Sequence, residues 1–228
     1  MVTPPRLHHP LADLVAEAAA GRFPPVDGRW RRVPPWRDGL EAVVAFTGHA
    51  VFAVGDDVAD SWLDELGVDG FGGAHDPRVI AALAGEGAWI DSLDALHVSR
   101  GTAERGDPAC EPRLVPRPDL ATLPRARLAA ELRDDVEVWG RPRGSDEVVV
   151  TVSRGVGGLR ELSFEVDPAG RGGAGASLVR DALAVVPAGE LVVAAAAPGN
   201  AASTRSLLAA GFAQIGSMQL FRPVRQAR

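Results

Sequence analysis

Phe164-Glu-Val-Asp-Pro-Ala-Gly-Arg-Gly-Gly-Ala-Gly-Ala-Ser-Leu-Val179 joins an apolar, strand-like run to a helix through a series of small residues. The first amides of a helix lack intrahelical partners, and its dipole favours negative charge there, so such a turn is chemically an anion cradle. Glycine and alanine let a pyrophosphate approach the backbone, and Arg171 adds a charged donor. A plain tight turn in an Ala/Gly-rich chain is the alternative. The ATP/GTP P-loop needs a lysine, and this chain has none, so that reading falls. A dinucleotide fingerprint is literally present as Gly170-x-Gly172-x-x-Gly175. In a Rossmann unit, however, the strand runs almost directly into the first glycine and an acidic residue ends the next strand. Here Asp167-Pro168-Ala169 intervenes, and Glu190 precedes its strand.

Downstream, Pro198-Gly-Asn-Ala-Ala-Ser-Thr-Arg-Ser-Leu-Leu-Ala-Ala-Gly-Phe212 holds Asn200, the only asparagine of the chain, between an apolar strand and a helix. The chain also lacks tyrosine, and its positive charge is all arginine, a bias expected of a GC-rich coding sequence. An asparagine kept against that drift calls for a reason.

The two segments together resemble the GNAT acyltransferase superfamily. Val166-x-Pro168-x-x-Arg171-Gly-x-Ala-x-Ala176 is similar to its coenzyme-A pyrophosphate loop, V-x-P-x-x-(Q/R)-x-x-G-x-(G/A). Asn200-x-x-Ser203…Leu207…Gly211-Phe212 is similar to its second signature, N-x-x-A…Y…G-F. The resemblance covers residues 120 to 222 and leaves the first hundred unexplained. It departs from the pattern at Ala174, which replaces a motif glycine, and at Leu207, which stands at the tyrosine.

The resemblance implies an N-acyltransferase that moves an acetyl group from acetyl-CoA to an amine by direct attack. Phe164 and Val166 would lend backbone groups to the carrier arm. Arg171, Gly172, Gly173, Ala174, Gly175, Ala176 and Ser177 would hold the pyrophosphate, with Asn200 and Ser203 on the arm. Alternation along Leu159–Val166 places Leu162, Phe164 and Val166 on one face and Glu161, Ser163 and Glu165 on the other. Glu161 is the candidate base, although the family's acidic position aligns with Arg160 unless a β-bulge intervenes. Ser206 is the nearest hydroxyl to Leu207 and the candidate acid. Two alternatives stand beside this reading: a coenzyme-A-binding module without turnover, and an NAD(P)-dependent oxidoreductase.

Working outward, the C-terminal part reads as helix 123–134, strand 136–140, a hairpin of 147–153 and 159–166, helix 174–186, strand 191–197, helix 201–210 and strand 214–221. That order describes an α/β fold, a mixed sheet with helices on both faces; the resemblance implies that it is GNAT-like and mostly antiparallel. The N-terminal part reads as helix 10–21, a Pro- and Trp-rich loop at 29–36, a hairpin of 41–46 and 50–54, helices 58–66 and 77–84, and strand 92–98. Residues 101–118 are rich in Gly, Pro and charge and are read as a linker. The division expected is therefore 1–105, a smaller accessory or degenerate α/β region, and 106–228, the acyl-CoA-binding domain, with one continuous sheet as the alternative.

The composition, 46% hydrophobic and 24% charged over 228 residues, is that of a soluble globular chain. A net charge of −6 argues against nucleic acid or an anionic membrane as partner. No run reaches membrane-spanning length, and the N-terminus lacks a signal-peptide pattern. The lone Cys110 offers no internal disulfide, and the cytoplasm is the expected compartment. His49, His75 with Asp76, and His97 lack metal-ligand spacing and read as ordinary turn or core residues, and His8-His9 as a frayed terminus. Trp30, Trp36, Trp62 and Trp89 read as buried packing, with an acceptor pocket as the alternative. The resemblance implies an amine acceptor, a small molecule or a protein N-terminus; self-association as a homodimer is left open.

Overall fold

A computed structural model describes residues 9–103, 113–142, 148–166 and 174–225. The chain divides into two compact units, Met1–Leu93 with Gly216–Arg228, and Asp94–Ile215.

The first unit opens on helix α1 (Pro10–Ala19), whose proline at the start suits a position with no amide partner. His9 is ordered rather than frayed: its Nδ1 accepts from the Leu11 amide at 3.2 Å and caps the helix. Strand β1 (Trp30–Val33) follows, within the segment expected to be loop. Its order comes from parallel pairing with β3 (His49–Ala53), a contact no local signal announces. Strand β2 (Glu41–Phe46) forms the expected hairpin with β3 across Thr47-Gly48, where Gly48 takes φ +71°. Helices α2 (Asp60–Glu65) and α3 (Pro77–Ala84) and the short strand β4 (Trp89–Ile90) complete the unit. Phe52, Leu63, Ile80 and Leu83 fill its core. Trp62 lies in that core, and Trp30 packs edge-on against Phe52, so these two indoles serve packing.

In the second unit β5 (Asp94–Arg100) begins two residues later than the strand expected at 92–98. Although read as part of the N-terminal region, it belongs to this unit. The two-residue strand β6 (Val115–Pro116), within the expected linker, leads to α4 (Pro124–Leu132) and strands β7 (Asp134–Gly140), β8 (Val148–Arg154) and β9 (Arg160–Val166). Helix α5 (Ala174–Leu183), strand β10 (Leu191–Ala196) and helix α6 (Ala201–Ala209) follow. The last strand, β11 (Ala213–Arg222), returns the chain to the first unit, where its residues Ser217–Phe221 pair antiparallel with β2.

The second unit's sheet runs β5-β10-β9-β8-β7-β6. Every pairing in it is antiparallel except β9 with β10. The expected fold class is the one observed. Val148, Val150 and Val152 join Leu178, Val179, Ala182 and Leu207 in the core under α5 and α6. Val149, one residue out of phase, packs with Ala126 of α4 on the other face. Both faces of β8 are therefore covered, which is why its valine run shows no polar alternation. Among the described residues no helix is long and apolar enough to cross a membrane.

Candidate functional site

The one parallel pair among the named strands of the second unit is short. β9 and β10 register only at Arg160 with Val192 and Glu161 with Val193. Beyond that point β9 stays with β8 as far as Val166 opposite Val148, and β10 stays with β5 as far as Ala196 opposite Ala95. The two strands part, and among the described residues no strand pairs with the inner side of β9 from Leu162 onward. Backbone N–H and C=O groups left so need a partner from elsewhere.

A cavity of about 600 Å³ opens there, lined by Phe164, Glu165 and Val166 of β9, Gly175 of α5, Asn200 before α6, Ala202, Ser203, Arg205 and Ser206 of α6, and Arg125 of α4. The first turns of α5 and α6 both reach it. They approach closely because residue 175 is glycine: a Cβ there would lie 3.1 Å from the Ser206 Cβ and would overlap its Oγ. Farther along, the Arg180 guanidinium donates to the Ala209 carbonyl at 2.9 Å and ties α5 to the end of α6. Gly211 ends that helix with φ +92°, a conformation that disfavours a side chain.

Asn200 serves the fold as well as the site. Its Oδ1 accepts from the Ser203 amide at 3.2 Å and caps α6. The side-chain amide nitrogen remains as a donor at the cavity wall. Ser206 donates its hydroxyl proton to the Ala202 carbonyl at 2.9 Å, leaving lone pairs to present. Leu207, where the signature has tyrosine, is 1% exposed and belongs to the core.

Of the residues singled out in the sequence, Phe164, Val166, Gly175, Asn200, Ser203 and Ser206 come together on this wall. Ala174 opens α5; Ala176 and Ser177 lie in its first turn without lining the cavity. Arg171, Gly172 and Gly173 lie outside the described residues, as do Pro168 and Cys110.

Glu161 is not on the wall. Its side chain is 5% exposed and pairs with Arg133 at 2.6 Å. Its carboxylate also accepts from the Val156 amide at 3.1 Å, and a side chain at Gly155 would collide with it. The bulge that would bring Glu161 into the acidic position is absent, since β8 and β9 pair without a shift from Val148–Val166 to Arg154–Arg160. Arg160 therefore keeps that position, beside Glu137 at 3.5 Å and Glu190 at 3.4 Å. Of Glu161, Ser163 and Glu165, the three polar residues that alternation places on one face of β9, only Glu165 is exposed. Ser163 is buried, its Oγ 2.6 Å from that of Thr151.

Four cavity residues escaped the sequence reading as site members: Arg125, Glu165, Ala202 and Arg205. Glu165 was legible by alternation but indistinguishable from any exposed strand residue. Arg125 carries no local signal, because it reaches the site from a helix forty positions upstream. The histidines lie elsewhere: His97 is fully buried, His49 meets Asp27 at 3.0 Å, and His75 meets Ser217 at 3.1 Å.

No family model matches the sequence, and no curated protein does. Among solved structures the chain is similar to a protein of Novosphingobium aromaticivorans assigned to the GNAT family of acetyltransferases, with 20% identity and a TM-score of 0.41 over 60% of this chain and 66% of that one. It is also similar to a GNAT-family acetyltransferase of Colwellia psychrerythraea, with 10% identity and a TM-score of 0.37 over 63% and 59%. The chain thus spans less than two thirds of the length of each.

Proposed function

We propose that the second unit takes an acyl-CoA, acetyl-CoA being the simplest, into the crevice between β9 and β10 and passes its acyl group to an amine. The observation that carries this reading is the early end of the β9–β10 pairing beside a cavity lined by two helix starts. The unpaired edge of β9 offers hydrogen bonds to an amide-bearing arm, and Asn200 offers one more. The first turns of α5 and α6, with Arg125 and Arg205, suit phosphate groups.

The bound thioester supplies an activated carbonyl, and the protein orients it. Backbone N–H groups of β9 are the natural donors to an oxyanion. Leu207 donates no proton to the departing sulfur, and the Ser206 hydrogen is held by Ala202. With a thiol pKa near ~8.5, leaving as thiolate at neutral pH costs about 2 kcal/mol, which a weak catalyst tolerates. Glu161, held by Arg133 and the Val156 amide, fixes the loop between β8 and β9, and water takes the amine proton. The protein acts in the cytoplasm, with the first unit as an accessory region.

A second reading, binding without turnover, is favoured by two departures from the family pattern, Leu207 for tyrosine and arginine at position 160. Thermal shift and thiol release separate the possibilities. Acetyl-CoA raises the melting temperature and NAD(P)H does not; the reverse result removes the acyltransferase reading. Thiol release with an amine or peptide N-terminus from a broad panel supports transfer, and binding without release supports the module.

A further inference from the structure

Arg125 is the second residue of α4, and Glu165 is the last but one of β9; both line the cavity. Their closest approach, Arg125 Nε to Glu165 Oε2, is 3.9 Å, within ion-pair range but too long for a hydrogen bond. The Nε atom is buried and makes no hydrogen bond. A buried charged N–H without an acceptor is unfavourable, and the Glu165 side chain, 54% exposed, gives only a screened attraction in return. The carboxylate thus holds the guanidinium near the cavity without satisfying its Nε–H, while the side chain as a whole is 35% exposed. Position Leu123 leaves the start of α4 without a side-chain cap, so its positive end lies beside the same guanidinium.

We infer that Glu165 is an internal stand-in for an anionic ligand, and that Arg125 exchanges it for a ligand phosphate. The inference rests on the donor reading above and deepens it: this pair makes the crevice select carriers that bear phosphate over the same arm without it. A phosphate presents several acceptor oxygens to the planar fork of arginine, which one distant carboxylate oxygen does not. Glu165 then has opposite effects in the two states, anchoring Arg125 when alone and repelling the phosphate on entry. Removing the two charges changes affinity in opposite directions.

Calorimetric titration of the full chain with coenzyme A and with pantetheine, which shares the arm but lacks phosphate, tests this. Arg125→Ala weakens coenzyme A about tenfold, as loss of one charge-assisted hydrogen bond implies, and leaves pantetheine unchanged. Glu165→Gln tightens coenzyme A by roughly two- to fivefold, a gain that misfolding does not mimic, and again leaves pantetheine unchanged. Equal losses for both ligands in Arg125→Ala, or weaker coenzyme A binding in Glu165→Gln, overturn the exchange while the donor reading survives. Failure of the unaltered protein to bind either ligand overturns both.

Discussion

Asn200 does two jobs with the two ends of one amide, and they separate by substitution. Its oxygen caps α6 through the Ser203 amide at 3.2 Å. Aspartate caps equally well but lacks the N–H donor. Asn200→Asp is expected to keep the melting temperature and to weaken coenzyme A, whereas Asn200→Ala loses both, with about 1 kcal/mol of stability. Calorimetry and thermal melts check this; an aspartate variant of full affinity removes the amide from the site. Glu161 makes the opposite case. Its carboxylate is buried against Arg133, so Glu161→Gln lowers stability by up to about 3 kcal/mol by leaving a buried charge poorly matched. A variant that melts normally but transfers no acyl group would restore Glu161 as base. Alternation along β9 gave the right facing for this residue and the wrong surroundings. The strand shows which side Glu161 takes; only the fold shows α4 and Arg133 on that side.

At the scale of elements, the crevice depends on how closely α5 and α6 meet. Gly175 lies against Ser206, where an added Cβ would stand 3.1 Å from the serine Cβ. Gly175→Ala is expected to push the helix starts apart and weaken coenzyme A about tenfold or less, the range of a small overpacking change. Ser206→Ala in the same chain removes the overlapping oxygen and restores part of the affinity. Titration of the two variants reads this directly, and absence of any rescue contradicts the contact. The elements around this crevice were legible because each carries its own punctuation: apolar runs for β8 and β10, Gly211 after α6, small residues before α5. Strand β1 was not. Trp30–Val33 lies among prolines and arginines, and its order comes from pairing with Ala50–Ala53, twenty positions away. The parting of β9 from β10 carries no local signal, since no residue in either strand breaks pairing by itself.

Across the whole molecule, two histidines couple the fold to acid. Burial pushes the His75 imidazole down to about 4 from an ordinary 6.5, and burial lowers His97 as well. The folded protein therefore refuses a proton that the unfolded chain accepts between those values. Stability is present above pH 6.5 and is lost as the pH falls toward 4. The loss from His75 is at most about 1.4 kcal/mol per pH unit, less for the partial exposure of the ring. Melting curves from pH 7 to pH 5 should show a falling midpoint, with a smaller fall in His75→Gln and a residue of the slope from His97. Equal slopes in the two proteins contradict the assignment. Composition foresaw the globular class and the order of elements the fold class, but neither showed that β5 belongs with the second unit and residues from Gly216 with the first. Chain order alone does not reveal such a return.

The central claim is that the bare inner edge of β9 receives the carrier arm. Hydrogen exchange of the peptide covering Leu162–Val166, with and without saturating coenzyme A, measures that edge itself. Slowed exchange there on binding, with the β7–β8 region unchanged, is the predicted result. Saturated binding that leaves this segment exchanging at its free rate would contradict the account.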